Sequence, residues 1–165
     1  MRAGPTLVLT GVLHARLKAH LLPKDGLEAA AILLCTRMQV APGHLKLLCK
    51  DALLVPHDKC KRVEDYIEWP GEYLADALDL AEADDLSLIL IHSHPSGFYE
   101  FSQADTKSDL RVIPELFANR GLEHQGITTH GSAIMVPGGA IKARVYDENH
   151  RVIPVELVAI HGDDI

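Results

Sequence analysis

The segment that decides the fold is residues 86–105, LSLILIHSHPSGFYEFSQAD, where an apolar run leads into a dense group of polar side chains. Its first nine residues predict a buried strand, because short apolar runs bounded by turn residues are typical of strands covered on both faces. Alternate residues of a strand point to one face, so His92 and His94 should aim both imidazoles at one spot. Pro95 and Gly97 then turn the chain.

Ser102 and Asp105 follow a seven-residue spacer, at the start of a helix predicted over residues 102–120. A helix that begins there can return Asp105 to His92 and His94. Two imidazoles and a carboxylate leave a fourth coordination position open, as in catalytic zinc sites. Each residue alone has a plainer interpretation, since single histidines are usually packed core residues and Ser-x-x-Asp is a helix capping box. The coincidence of all the spacings favours a metal site.

A hydrolytic zinc site also needs a base that takes a proton from water. Glu28 is the most distinctive candidate, because it opens the apolar segment EAAAILLC, where a carboxylate is costly unless it has a partner or a task. From the residues alone, the choice between a base and a structural carboxylate stays open. The other upstream candidates lie in polar surroundings and are interpreted as solvated surface residues: Glu64, Glu68, Glu72 and Glu82.

The rest of the chain predicts an α/β (α+β) fold, with a mixed central sheet flanked by helices. The elements do not alternate as regular βαβ units, and a length of 165 residues favours one domain over residues 1–165. Thr10 is placed to cap the first helix, and Pro114 is expected to kink or split the helix of 102–120. Helices are predicted at 11–22 and 72–85, and strands at 6–10, 27–40, 44–55, 60–69, within 123–147 and at 150–160.

Net charge and cysteine content limit the cellular compartments and the binding partners that we expect for this chain. The net charge is −7 without a basic cluster, which argues against a nucleic-acid partner. Cys35, Cys49 and Cys60 have no CxxC spacing, which argues against a disulfide framework and favours a reducing, cytoplasmic compartment. No signal peptide is expected, and no apolar run approaches the about 18 residues of a membrane span.

The pattern His92-Ser93-His94, seven residues, Ser102, two residues, Asp105 matches the JAMM signature at every defined position. On this motif the chain resembles the JAB/MPN metalloproteases, and most closely the prokaryotic JAB deubiquitinase-like proteins. The order of the predicted elements is similar as well. The resemblance implies the MPN/JAB fold, which is related to that of the cytidine deaminases.

The resemblance implies one Zn²⁺ per chain, held by His92, His94 and Asp105. In that family a glutamate at the start of an apolar strand takes the proton of the attacking water, and Glu28 stands at that place. Ser102 and the zinc would stabilise the oxyanion. The implied reaction is hydrolysis of a peptide or isopeptide bond after the C-terminal Gly of a ubiquitin-like protein.

The resemblance also implies that the substrate's tail lies along the site as an added strand. Residues 65–69 are the candidate for part of that groove, although Tyr66, Ile67 and Trp69 could equally pack the core. Cognate activating and conjugating enzymes are the further partners implied, in a bacterial conjugation pathway of a kind linked to antiviral defence.

Several alternatives stay open. Processing of a sulfur-carrier protein would use the same chemistry on another substrate. RadC-like proteins, associated with DNA repair, have nearly the same motif but usually carry proline before the serine, where this chain has Phe101. A non-catalytic MPN scaffold normally loses the metal ligands that this chain retains, and a zinc deaminase would need a PCxxC segment after the histidines, which is missing.

Overall fold

The structure is a computed structural model that describes residues 4–118 and 128–162. Its described part contains a large mixed sheet, a small hairpin and three α-helices. The helices are α1 (Gly11–Leu21), α2 (Gly71–Asp84) and α3 (Gln103–Ala118). The strands are β1 (Thr6–Thr10), β2 (Ala30–Ala41), β3 (His44–Leu54), β4 (Lys61–Arg62), β5 (Ile67–Glu68), β6 (Ser87–Ser93), β7 (His130–Met135), β8 (Ile141–Tyr146), β9 (Val152–Pro154) and β10 (Leu157–His161).

The large sheet has the order β10-β1-β3-β2-β6-β7-β8-β9 and is curled. Its edge strands β9 and β10 are separated in the chain only by Val155 and Glu156. Val155 N–H donates to the carbonyl of Ala143 on β8 at 3.0 Å, and Glu156 N–H donates to the carbonyl of Pro5, beside β1, at 2.9 Å. Because two consecutive residues bond to opposite edges, the sheet must curl until those edges nearly meet.

Buried apolar residues cover both faces of the sheet. On one face α1 packs through Leu13, Leu17 and Leu21, and Thr10 caps this helix by accepting the Leu13 N–H at 3.0 Å, as predicted. On the other face α2 and α3 pack against β2 and β6 through a second cluster. Burial on both faces explains why the first half of β2, residues 30–35, and most of β6 are continuous apolar runs rather than alternating ones. The predicted mixed sheet flanked by helices is confirmed.

Two predicted strands are wrong in detail. Residues 60–69 do not form one strand, because Val63 N–H donates to the Tyr66 carbonyl at 3.0 Å and turns the chain into the β4–β5 hairpin. Residues 150–160 do not form one strand either, because the bonds of Val155 and Glu156 divide them into β9 and β10. Residues 60–69 show only a loose alternation and residues 150–160 an apolar run, and neither pattern reports where a chain changes direction.

Pro114 does not split α3, which runs through it to Ala118. The neighbouring side chains Ile113, Leu116 and Phe117 are buried, and this packing offsets the missing N–H. The predicted end of this helix at Gly121, and the first part of the strand expected within 123–147, lie outside the described residues. None of the described helices has the length and apolar character to cross a membrane.

Candidate metal centre

The candidate site lies at the end of β6, where His92 and His94 point to the same side of the strand. β6 pairs antiparallel with β2, and Ala30 stands opposite His92. Extending that register by two residues places Glu28 opposite His94. Glu28 is only 4% exposed, and its carboxylate and both imidazoles offer ligand atoms within 4.8 Å of one another. The strand pairing therefore brings together residues that are far apart in the chain.

The helix α3 brings Asp105 to the same point. Nε2 of His92 lies 3.0 Å from Oδ1 of Asp105, and Nε2 of His94 lies 3.0 Å from Oδ2. The two Nε2 atoms are 3.1 Å apart. Each imidazole faces a different oxygen of the Asp105 carboxylate, and the distance between the two Nε2 atoms is close to the about 3.3 Å edge of a tetrahedron with zinc bonds of about 2.0 Å. Two imidazoles and a carboxylate are donor types that suit Zn²⁺.

Ser102 stands directly before α3 and forms the predicted capping box with Asp105. The Asp105 N–H donates to Ser102 Oγ at 3.0 Å, and the Ser102 N–H donates to Asp105 Oδ2 at 2.8 Å. The carboxylate of Asp105 is thus held at the helix start while it faces the histidines. Because Ser102 Oγ accepts through a lone pair, its own O–H proton stays available to another acceptor.

The turn after β6 sets the orientation of the His94 ring. Gly97 has a φ of +87°, a conformation that favours glycine, and its N–H donates to the His94 carbonyl at 3.0 Å. This turn brings the Phe98 carbonyl to 2.8 Å from His94 Nδ1, so Nδ1 carries a proton. The opposite nitrogen, Nε2, faces the acceptor-only carboxylate of Asp105. A cation, either a proton or a metal ion, is therefore favoured at Nε2.

The two carboxylates of the site differ in pKa, which is raised for Glu28 and lowered for Asp105. Burial raises the pKa of Glu28 to about 7, although the nearby imidazoles of His92 and His94 act in the opposite direction. Burial would also raise the pKa of Asp105, but hydrogen bonds from His92 and His94 outweigh it and hold that pKa well below its usual range. Asp105 therefore stays ionised, whereas Glu28 can exchange a proton near neutral pH.

Two residues that were not predicted as part of the site, Ser93 and Arg62, fix the backbone around Glu28. Ser93 is buried, and its Oγ accepts the Ala29 N–H at 2.9 Å. Arg62 of β4 donates from Nε to the Glu28 carbonyl at 2.6 Å and pairs with Asp25 at 2.9 and 3.1 Å. A polar residue on the core side of a buried strand is a signal that could have identified Ser93. No local pattern connects Arg62 with Glu28.

An open groove of about 660 Å³ adjoins the centre and is lined by Glu28, His92 and Asp105. Residues 65–69, which are the candidate for part of a substrate groove, line it as well, and α3 contributes Arg111 among others. The alternative interpretation, that this segment packs the core, holds for Trp69, which packs against the core beside α2. It does not hold for Tyr66, whose side chain is exposed.

Comparison with known proteins identifies the family. The profile of the prokaryotic homologs of the JAB domain matches residues 11–156, which include every residue of the candidate site. The chain belongs to the prokaryotic JAB family. This JAB domain is also similar to the solution structure of protein DSY2949 from Desulfitobacterium hafniense, with a TM-score of 0.57 and 13% identity over 94% of this chain and 93% of the other. That likeness concerns the fold alone, and no curated protein matches the chain.

Proposed function

We propose that this JAB domain is a zinc-dependent peptidase or isopeptidase that cleaves after the C-terminal glycine of a ubiquitin-like protein. One observation carries the proposal: the side chains of His92, His94 and Asp105 converge, with neighbouring ligand atoms 3.0 to 3.1 Å apart, and the buried Glu28 lies beside them at a groove. Two imidazoles and one carboxylate, with a fourth position open, are typical of hydrolytic zinc centres.

In this proposal His92, His94 and Asp105 hold the metal, and Glu28 remains outside its coordination shell. Glu28 could also complete a ligand set with the two histidines, since a carboxylate oxygen of Glu28 and one ring nitrogen of each histidine lie within 4.8 Å of one another. The closer contacts of Asp105, at 3.0 Å from each imidazole, favour Asp105 as the ligand. When bound, Zn²⁺ supplies Lewis acidity that activates a water molecule and polarises the scissile carbonyl.

Glu28 and Ser102 would carry out the two remaining tasks, which are proton transfer and stabilisation of the oxyanion. Glu28 accepts a proton from the attacking water at a carboxylate oxygen and returns it to the nitrogen of the leaving amine. Its pKa of about 7 suits both directions of transfer at neutral pH. Ser102 donates its O–H to the carbonyl oxygen as that atom gains negative charge, because its capping bond uses only a lone pair.

The groove supports an extended substrate. Within the described residues, β5 pairs with β4 along one edge and with no strand along the other, so its second edge can receive the backbone of a peptide tail. Ile67 and Glu68 of β5 line the groove that leads past Glu28 and His92. The terminal glycine in this proposal follows from the resemblance to the JAB/MPN metalloproteases, and the open groove offers room for an extended tail before it.

The proposal is tested by a cleavage assay with the zinc-loaded protein. Ubiquitin-like proteins and sulfur carriers, each fused through the C-terminal glycine to a reporter, are offered as a panel, and products are identified by mass spectrometry. Cleavage directly after the glycine is expected, and the preferred fusion separates a ubiquitin-like substrate from a sulfur carrier. A ubiquitin-like substrate would imply that cognate activating and conjugating enzymes act in the same pathway. An intact panel with zinc bound would contradict the proposal.

The rate should depend on pH through Glu28. Because only the ionised carboxylate accepts a proton, kcat/KM should fall about tenfold per pH unit on the acid side. The midpoint should lie at or below the pKa of about 7, since a bound cation favours the ionised form. Zinc content measured at each pH separates this effect from metal loss. A rate that stays constant down to the lowest pH at which the zinc content is still full would reassign the base.

Zinc should stabilise the folded protein. A ligand that binds only the native state adds about 4 kcal/mol to the free energy of unfolding at a thousand times its Kd. Differential scanning fluorimetry of the chelator-treated protein should therefore show a rise of several degrees in Tm on adding Zn²⁺. Mg²⁺ is the control, because imidazole ligands disfavour it. An unchanged Tm with zinc would speak against a preformed metal centre.

A further inference from the structure

We infer that Arg144 and Asp109 are positioning residues of the metal centre, which orient Asp105 by fixing α3 and the loop before it against β8. The inference rests on the proposed metal centre and concerns how its carboxylate ligand is held. Neither residue contacts the histidines in the described structure. Their effect would pass through the helix that carries Asp105.

One face of β8 contacts both segments that present Ser102 and Asp105. Lys142, Arg144 and Tyr146 alternate along the strand and therefore share a face. Lys142 pairs with Glu100 of the loop at 2.9 Å. The guanidinium of Arg144 lies 3.8 Å from the ring centroid of Phe101, the residue directly before Ser102.

The same face holds α3 through Asp109, whose side chain is only 9% exposed. Nη2 of Arg144 lies 2.9 Å from Asp109 Oδ2, and the hydroxyls of Tyr146 and Ser132 donate to that oxygen at 2.9 and 2.5 Å. Arg144 also donates to the hydroxyl of Thr106 at 3.3 Å. An ionised carboxylate buried this far is stable only with such partners.

The spacing of Asp105 and Asp109 explains why this network would act on the metal ligand. Residues four apart on a helix lie on one side, one turn from each other. Anchoring Asp109 and Thr106 on β8 therefore sets the rotation of α3 about its axis, and with it the direction of the Asp105 carboxylate. The stacking of Arg144 on Phe101 restrains the chain immediately before Ser102 in the same way.

The test compares zinc affinity in variants that loosen the network without touching a ligand. Arg144→Met removes the guanidinium and keeps the stem, Asp109→Asn removes the charge, and Tyr146→Phe removes one hydroxyl. Arg16→Met is the matched control, since Arg16 of α1 pairs with Asp51 at the surface. Zinc Kd is measured by competition with a chromophoric chelator, Tm is measured on the metal-free proteins, and the visible spectrum of the Co²⁺-loaded forms reports the ligand geometry.

We expect Arg144→Met and Asp109→Asn to weaken zinc binding about tenfold or more, a size typical of residues that support metal ligands. Tyr146→Phe should have a smaller effect, the Co²⁺ spectra should change in the same order, and Arg16→Met should match the wild type. If Arg144→Met does not fold, the two nearly isosteric variants decide the question. Variants with a lower metal-free Tm but wild-type zinc Kd and Co²⁺ spectra would overturn the inference. A wild-type protein that binds no zinc would overturn the metal centre itself, and this inference with it.

Discussion

Replacing Glu28 by glutamine should lower the rate of bond cleavage by about 10²- to 10⁴-fold, the usual contribution of a general base. Glutamine has nearly the same shape but cannot accept the proton of water. The amide should also fit the buried position, because it carries no charge and the burial that raises the pKa of Glu28 disfavours its charged form. Zinc content should stay at the wild-type level, since the ligands are untouched in the proposed arrangement.

The matched control for this variant is Glu82→Gln. Glu82 is exposed on α2, so its substitution changes the net charge by the same amount far from the chemistry. Rates are compared at saturating substrate, with metal content measured on the same samples. If Glu28→Gln cleaved at a near-normal rate, the base would have to be sought elsewhere in the site.

Replacing Asp105 by alanine should weaken zinc binding by more than about 100-fold, because changes to residues that only support a ligand already cost about 10- to 100-fold. The carboxylate lies 3.0 Å from both imidazoles, and its loss leaves two protein ligands of the proposed three. Activity should disappear with the metal. Equilibrium dialysis against zinc buffers measures the change directly.

Asp105→Ala also breaks the helix cap, so a second variant is needed to separate the two effects. Ser102→Ala breaks the same capping box from its other side and leaves the carboxylate in place. It should cost about 1 kcal/mol of stability and yet retain zinc within a few-fold of wild type. Wild-type zinc affinity in Asp105→Ala, combined with metal loss in Glu28→Gln, would instead identify Glu28 as the third ligand.

Local sequence predicted much of the site because its key residues lie on regular elements. The two-residue period of a strand puts His92 and His94 on one side, and the Ser-x-x-Asp pattern places Asp105 at a helix start. The structure brings both groups together as expected. Glu28 could be proposed from an apolar context, but its position opposite His94 depends on the pairing of β2 with β6.

The supporting contacts could not be predicted, because they join residues that no local pattern connects. Arg62 reaches the Glu28 carbonyl across 34 positions, and Arg144 reaches Asp109 across 35. The strand error at residues 60–69 has a different cause. The hairpin there is closed by local backbone bonds, including that of Val63 N–H to the Tyr66 carbonyl, and hydropathy does not encode where a chain turns back.

The most direct test of the proposed metal centre is a crystal structure of the zinc-loaded protein with anomalous data collected at the zinc edge. We expect one anomalous peak bonded to Nε2 of His92, Nε2 of His94 and a carboxylate oxygen of Asp105, with the Glu28 carboxylate nearby but unbonded. A peak bonded to Glu28 in place of Asp105, or no peak between the histidines, would contradict it.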